Sequence, residues 1–188
     1  MEKQEIRASS HSVQSAQNDT SWVLVAVVGT AFALLITYGF LQVTQPQPLR
    51  AGPAPAFTLT LFNGEQLTLE ELRGRPVVVH FWASWCLPCQ AEAPTIAKVW
   101  ADYRDRGVSF VGIAYHDTEP RARAFITEFG LLYPNGLDGR GEIARAYGIS
   151  GVPETFFIRP DGNIAAVHLG LMSEKELRAA LDDLLNQA

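Results

Sequence analysis

The chemistry most legible in this sequence lies in Cys86-Leu87-Pro88-Cys89. Two thiols three positions apart share one face of a helix and can close a disulfide, so the pair can carry two electrons and two protons without a bound cofactor. The flanking residues indicate where the pair sits. A mostly apolar run, Val77 to Trp82, leads into Ala83-Ser84-Trp85, and a helical pattern opens at the cysteines. A strand thus delivers Cys86 to the first turn of a helix, where unsatisfied backbone N–H groups and the helix dipole favour thiolate over thiol. Cys86 is expected to be the more exposed and more readily ionised thiol, the nucleophile that attacks a partner disulfide. Cys89, one turn further in, would then attack Cys86 and release the reduced partner.

Composition narrows the alternatives. Both cysteines of the chain are in this motif, so none remain for structural disulfides. A four-cysteine zinc site is excluded by count, and no other ligand pair has metal-site spacing, so no metal is expected. A net charge of −5 without a basic cluster argues against nucleic acid as a partner. With 47% hydrophobic and 19% charged residues, the chain suits one globular domain plus an extra apolar segment. The residues after position 56 can bury roughly 65–70% of their unfolded surface, enough for a single core.

The elements that must position the thiols read as follows. Residues 1–21 are polar and lack periodicity, a disordered tail expected to be cytoplasmic. Residues 22–41, Trp22 to Leu41, carry no charge and are long enough to cross a lipid bilayer as a helix, with Trp22 at one interface and Tyr38 and Phe40 at the other. A cleaved signal peptide is the rival reading. It would have a shorter apolar core and a small-x-small site, whereas the nearest, Ala54-Pro55-Ala56, lies well downstream among prolines, so an uncleaved anchor is preferred. Lys3 and Arg7 before the span, against Arg50 after it, favour a cytoplasmic N-terminus and an extracytoplasmic domain. Residues 42–55, with Pro46, Pro48, Pro53 and Pro55, read as an extended tether.

The folded domain is expected over 56–188. Phe57 to Leu61 and Glu65 to Thr68 flank an Asn63-Gly64 turn, and Thr68 with Glu71 makes a capping box. The helix after the cysteines runs to about Arg104, with Pro94 expected to kink it. Val108 to Ala114 is a second buried strand, and Thr118-Glu119-Pro120 opens a helix through Phe129. A short helix spans about Gly141 to Tyr147. A hairpin joins Glu154–Arg159 to Asn163–Leu169, and Ser173 with Glu176 caps a terminal helix to Gln187. This order predicts a three-layer α/β domain with a mixed sheet.

From about Ala54 to the C-terminus, Trp85-Cys86-Leu87-Pro88-Cys89, Glu92, Pro94 and Gly151-Val152-Pro153-Glu154-Thr155-Phe156 together resemble the membrane-anchored thioredoxin-like thiol–disulfide oxidoreductases of cytochrome c maturation, the TlpA/ResA/CcmG group. The resemblance implies a thioredoxin fold with an N-terminal β-hairpin and a central insertion, and a redox-active Cys86–Cys89 disulfide in place of any cofactor. It implies client protein disulfides as substrates, in apocytochrome c or its maturation factors, with a membrane thiol-electron transporter as reductant. It also implies that Pro153 is a cis-proline beside the cysteines, keeping metal from the thiols and leaving the Val152 backbone free to pair with an extended substrate segment. Glu92 and Glu154 would be functional acids near the site.

Several residues admit two readings. Glu92, three positions after Cys89, is a proton acceptor and donor for Cys89 or a solvated glutamate complementing the helix dipole. His80 stands where thioredoxins carry a buried Asp. It is read first as a core histidine satisfied by neighbouring backbone, and otherwise as a relay for the Cys89 proton. Glu154 is a site carboxylate or an exposed strand-start glutamate. Trp82 is read as core, Trp85 as an apolar docking rim, and Leu87-Pro88 as tuning the potential. His11, His116 and His168 receive no role. A general disulfide reductase or oxidase is the nearest alternative function. Copper delivery expects Cys-x-x-x-Cys, one residue longer than here, and the peroxidatic Pro-x-x-x-Thr-x-x-Cys is missing before Cys86.

Overall fold

The computed structural model describes residues 22–39 and 49–187. The polar stretch 1–21, Phe40 and Leu41 at the end of the expected span, and residues 42–48 of the expected tether lie outside the described residues.

Within the N-terminal unit, helix α1 (Trp22–Gly39) is uncharged and, at about 1.5 Å per residue, spans roughly 27 Å, close to the hydrocarbon thickness of a bilayer. Its two threonines do not leave free hydroxyls. Thr30 Oγ1 donates to the carbonyls of Ala26 and Val27, and Thr37 Oγ1 donates to that of Ala33. Such back-bonding lets a polar side chain sit in an apolar helix.

The second unit is organised on strand β4 (Val77–Trp82), whose six residues are all buried. It lies mid-sheet between parallel β5 (Ser109–Tyr115) and antiparallel β7 (Glu154–Ile158). The sheet is completed by β6 (Asn135–Asp138) outside β5, and by β8 (Asn163–Leu169) and β1 (Gly52–Pro53) outside β7. Alternation along β4 divides the core. Val78 and Trp82 pack with α2 (Leu87–Tyr103), α3 (Glu119–Phe129) and α5 (Glu174–Asn186), while Val77, Val79 and Phe81 pack with α4 (Glu142–Tyr147). A two-stranded ribbon, β2 (Thr58–Thr60) and β3 (Gln66–Thr68), adds Leu59 to the second cluster, beside Phe57 just before it.

Local signals account for most boundaries. Thr68 and Glu71 cap reciprocally at the start of a short 3-10 turn, and Ser173 with Glu176 forms the capping box of α5. Two features depart from the expectations above. The tether ends earlier than residue 55, because Gly52 and Pro53 pair with Ile164 and Asn163, and the Ala54 N–H donates to Gly162 O. Pro53 suits that place, since an edge strand tolerates a missing donor. β6 was not foreseen, its Asn-Gly-Leu-Asp composition reading as turn. It becomes a strand because β5 offers an open parallel edge at Gly112–Tyr115. As expected, Pro94 lies inside α2, which is one continuous helix.

Candidate active site

β4 ends at Trp82, and the loop Ala83-Ser84-Trp85 carries the chain to Cys86, the N-cap of α2. Cys86 and Cys89 are joined as a disulfide, with Cα atoms 5.2 Å apart. The Cys89 backbone N–H donates to Cys86 Sγ at 3.2 Å, one of the orphan donors of the first helical turn, directed at the sulfur that would carry negative charge. Residue exposure is 4% at Cys86 and 1% at Cys89. Across the cleft Val152 O lies 3.4 Å from Cys86 Sγ, and the Val152–Pro153 peptide bond is cis.

The loop before Cys86 is held by residues that sequence reasoning did not single out. Asp117, just after β5, accepts from Ser84 N at 2.6 Å and Ser84 Oγ at 3.0 Å. Gln90 Nε2 donates to Ser84 O at 2.8 Å, and the Trp85 indole N–H donates to His116 O at 3.1 Å. His116 adopts φ 47°, and its ring packs beside Gly141, where a Cβ would lie 2.9 Å from His116 Nε2. The one sequence hint was an aspartate where a strand meets a helix start, a position that also suits a cap. Around the sulfurs the surface is apolar: Trp85 is 53% exposed, Leu87 is 74% exposed, and Pro88 is exposed beside them. Next to the cis-proline, Gly170 N–H donates to Pro153 O, and the flanking Leu169 and Leu171 are exposed.

Behind Cys89 lies a buried polar group. Glu92, on the helix face of Cys89, is 2% exposed, so the solvated reading does not hold. Its Oε2 accepts from Met172 N–H at 2.9 Å, and its Oε1, with no hydrogen-bond partner, lies 3.4 Å from His80 Nε2. His80 Nδ1 is 3.0 Å from Thr155 Oγ1, its partner across the β4–β7 ladder. The histidine is therefore met by side chains, not by the neighbouring backbone that the sequence suggested. Glu154 faces away from His80 and is buried, not an exposed strand-start residue. Its Oε1 accepts from Ser150 N, Ser150 Oγ and Gly151 N at 2.8, 2.8 and 3.1 Å, clamping the loop that carries Val152. Trp82 is core: its Nε1–H donates to Asn135 Oδ1 at 3.1 Å and its ring stacks on Phe125.

Residues 51–167 match the model of the AhpC/TSA family. The chain belongs to that family. Among relatives, the thiol-disulfide oxidoreductase ResA of Oceanobacillus iheyensis is 35% identical over 138 residues, covering 71% of this chain and 72% of ResA. A thiol:disulfide interchange protein of the thioredoxin family from Chlorobium tepidum superposes with a TM-score of 0.66 at 30% identity, covering 74% of this chain and 99% of that one. DsbF of MTB, solved in mixed oxidised and reduced forms, gives 0.64 at 32% identity, covering 68% and 94%. The fold is thus the thioredoxin fold, and this AhpC/TSA member is a thiol–disulfide oxidoreductase with Cys86–Cys89 as its redox pair.

The electrostatics of the buried group in this family member follow from burial. Desolvation pushes the Glu92 carboxyl up to about 7, against a smaller lowering by the Met172 N–H. Desolvation pushes the His80 imidazole down to about 4. At neutral pH the histidine is therefore uncharged and the carboxyl is near its midpoint, able to take or give a proton.

Proposed function

We propose that this chain is a membrane-tethered, extracytoplasmic thiol–disulfide reductant whose clients are protein disulfides, apocytochrome c or a maturation factor foremost. The observation that carries this reading is Cys86 Sγ at the N-cap of α2, receiving the Cys89 N–H and lying 3.4 Å from Val152 O beside the exposed Trp85 and Leu87. A client segment laid along Val152 would present its disulfide to that sulfur. Cys86 attacks as thiolate and forms a mixed disulfide. Cys89 gives its proton to Glu92, attacks Cys86 Sγ, and expels the client as a thiol, leaving the Cys86–Cys89 disulfide. The reduced pair is restored by a membrane thiol-electron donor.

The uncharged helix α1 supports the tether, and Lys3 and Arg7 before it support an external catalytic domain. The preference for apocytochrome c rests on the resemblance of the cysteine motif, Glu92 and the Gly151–Phe156 block to the cytochrome c maturation group. The test is the Cys89→Ser chain expressed in its native host. Mixed disulfides should accumulate on Cys86, and mass spectrometry should identify a haem-attachment peptide or a maturation protein. Capture only of cytoplasmic proteins would refute both the topology and the client class.

A further inference from the structure

The contact between His80 and Glu92 joins two ionisable side chains in the interior, both nearly excluded from solvent. Each is held on its far side by a different element. Thr155 on β7 meets His80 Nδ1, and the Met172 backbone N–H meets Glu92 Oε2, so the two free atoms, Nε2 and Oε1, are turned toward each other at 3.4 Å. Glu92 Oε1 has no other partner, and an unpaired buried carboxylate oxygen is costly. Among the described residues no Lys or Arg pairs with Glu92. The cysteines on α2 are joined as a disulfide here and do not titrate; the Tyr133 phenol, which burial first and the Glu92 charge second push up, stays neutral.

We propose that His80 and Glu92 form one proton-sharing unit, in which the imidazole, fixed by Thr155, acts through the Glu92 carboxyl to hold the proton that Cys89 releases. His80 is then a positioning residue, and the unit deepens the reading above, on whose resolving step it rests. The hydroxyl of Thr155 suits this role because it can donate to a bare Nδ1 or accept from a protonated one, so either imidazole tautomer is satisfied. In the resolving step the Cys89 S–H bond breaks and its proton passes to the Glu92–His80 unit, which goes from one negative charge to neutral. Cys89 Sγ bonds to Cys86 Sγ, and the Cys86–client S–S bond breaks with its electron pair leaving on the client sulfur. The cysteine pair is oxidised by two electrons and the client disulfide is reduced. A unit that takes a proton while losing charge avoids creating a buried ion, which the neutral imidazole acting without the carboxylate would do.

The experiment uses the full chain in detergent micelles. Reduced protein is treated with Ellman's reagent, and the second thionitrobenzoate, expelled from Cys86 by Cys89, is followed by stopped flow from pH 5 to 9. His80→Asn should slow that second release about ten-fold at neutral pH, less than the roughly 10²–10⁴-fold of losing a whole general base because Glu92 remains, and displace the midpoint of the pH–rate profile. In the oxidised chain, labelled His80 ring and Glu92 carboxyl NMR signals should move with a common midpoint, the signature of coupled sites. A wild-type profile in His80→Asn, or His80 signals that stay still through the Glu92 titration, overturns the proposal. Should His80→Asn fail to fold, Thr155→Val decides: it keeps the imidazole but removes its anchor, and an unchanged profile overturns the proposal equally. Slowing in Glu92→Gln with none in His80→Asn would overturn the shared unit while leaving the proposed function, with Glu92 acting alone, in place. No second release from the wild-type chain would remove the resolving role of Cys89 and this unit with it.

Discussion

Stability measured against pH should separate His80 from Glu92, because their individual effects oppose each other in the wild-type chain. In the unfolded chain Glu92 ionises at its ordinary 4.5 and His80 at its ordinary 6.5, so between those values the two together hold one proton, on the histidine. In the folded chain burial takes Glu92 to about 7 and His80 to about 4, so the two again hold one proton, now centred on the carboxyl. The pH dependence of stability follows the difference in protons bound, so from 4.5 to 6.5 the pair contributes no slope. Single replacements remove the cancellation. In Glu92→Gln only His80 titrates. Its folded value is depressed, so the unfolded chain takes the proton first, and stability falls as pH drops from 6.5 to about 4. In His80→Asn only Glu92 titrates. Its folded value is raised, so stability is present below 4.5 and is lost as pH climbs toward about 7. At about 1.36 kcal/mol per pH unit, each slope sums to about 3 kcal/mol across its window, a large part of an ordinary domain's stability. Urea unfolding of the wild type and both variants from pH 4 to 7.5 gives the measurement, read as variant minus wild type so that every other group cancels. Two difference curves of opposite slope are expected. Curves that are both flat, or that slope the same way, would refute the burial assigned to this pair.

Two further outcomes follow from packing. Gly112→Ala would place a Cβ 1.8 Å from Asn135 Oδ1 and 2.9 Å from Trp82 Nε1. The Trp82–Asn135 hydrogen bond must break or β5 must shift from β6, at a cost of about 1–3 kcal/mol, seen as a lowered urea midpoint and altered tryptophan fluorescence. A wild-type midpoint would show that the close approach is relieved without loss. Glu154→Gln replaces a carboxylate oxygen that accepts three hydrogen bonds by a weaker amide acceptor, and should cost about 1–2 kcal/mol. Hydrogen exchange should quicken at the Ser150 and Gly151 amides, and unchanged protection there would mean that the clamp does not hold the Val152 loop.

The features that the sequence decided by itself are those whose cause is local. A thiol pair at a helix start, a helix cap from Ser173 and Glu176, an apolar run at Val77 to Trp82 and a turn at Pro160-Asp161-Gly162 each follow from neighbours within a few positions, and the structure places them accordingly. β6 was missed because its strand character comes from the edge of β5 and not from its own residues. The polar contacts of the site are further still from local control. His80 meets Thr155 across 75 positions, Glu92 meets Met172 across 80, and Ser84 meets Asp117 across 33. Residue type said that His80, Glu92 and Glu154 could hold protons. Only the packing of α2 on β4 and β7, and of the loop at Ser150 and Gly151 over Glu154, decided that all three were buried, what each faced, and so which way burial moved the proton affinity of His80 and Glu92.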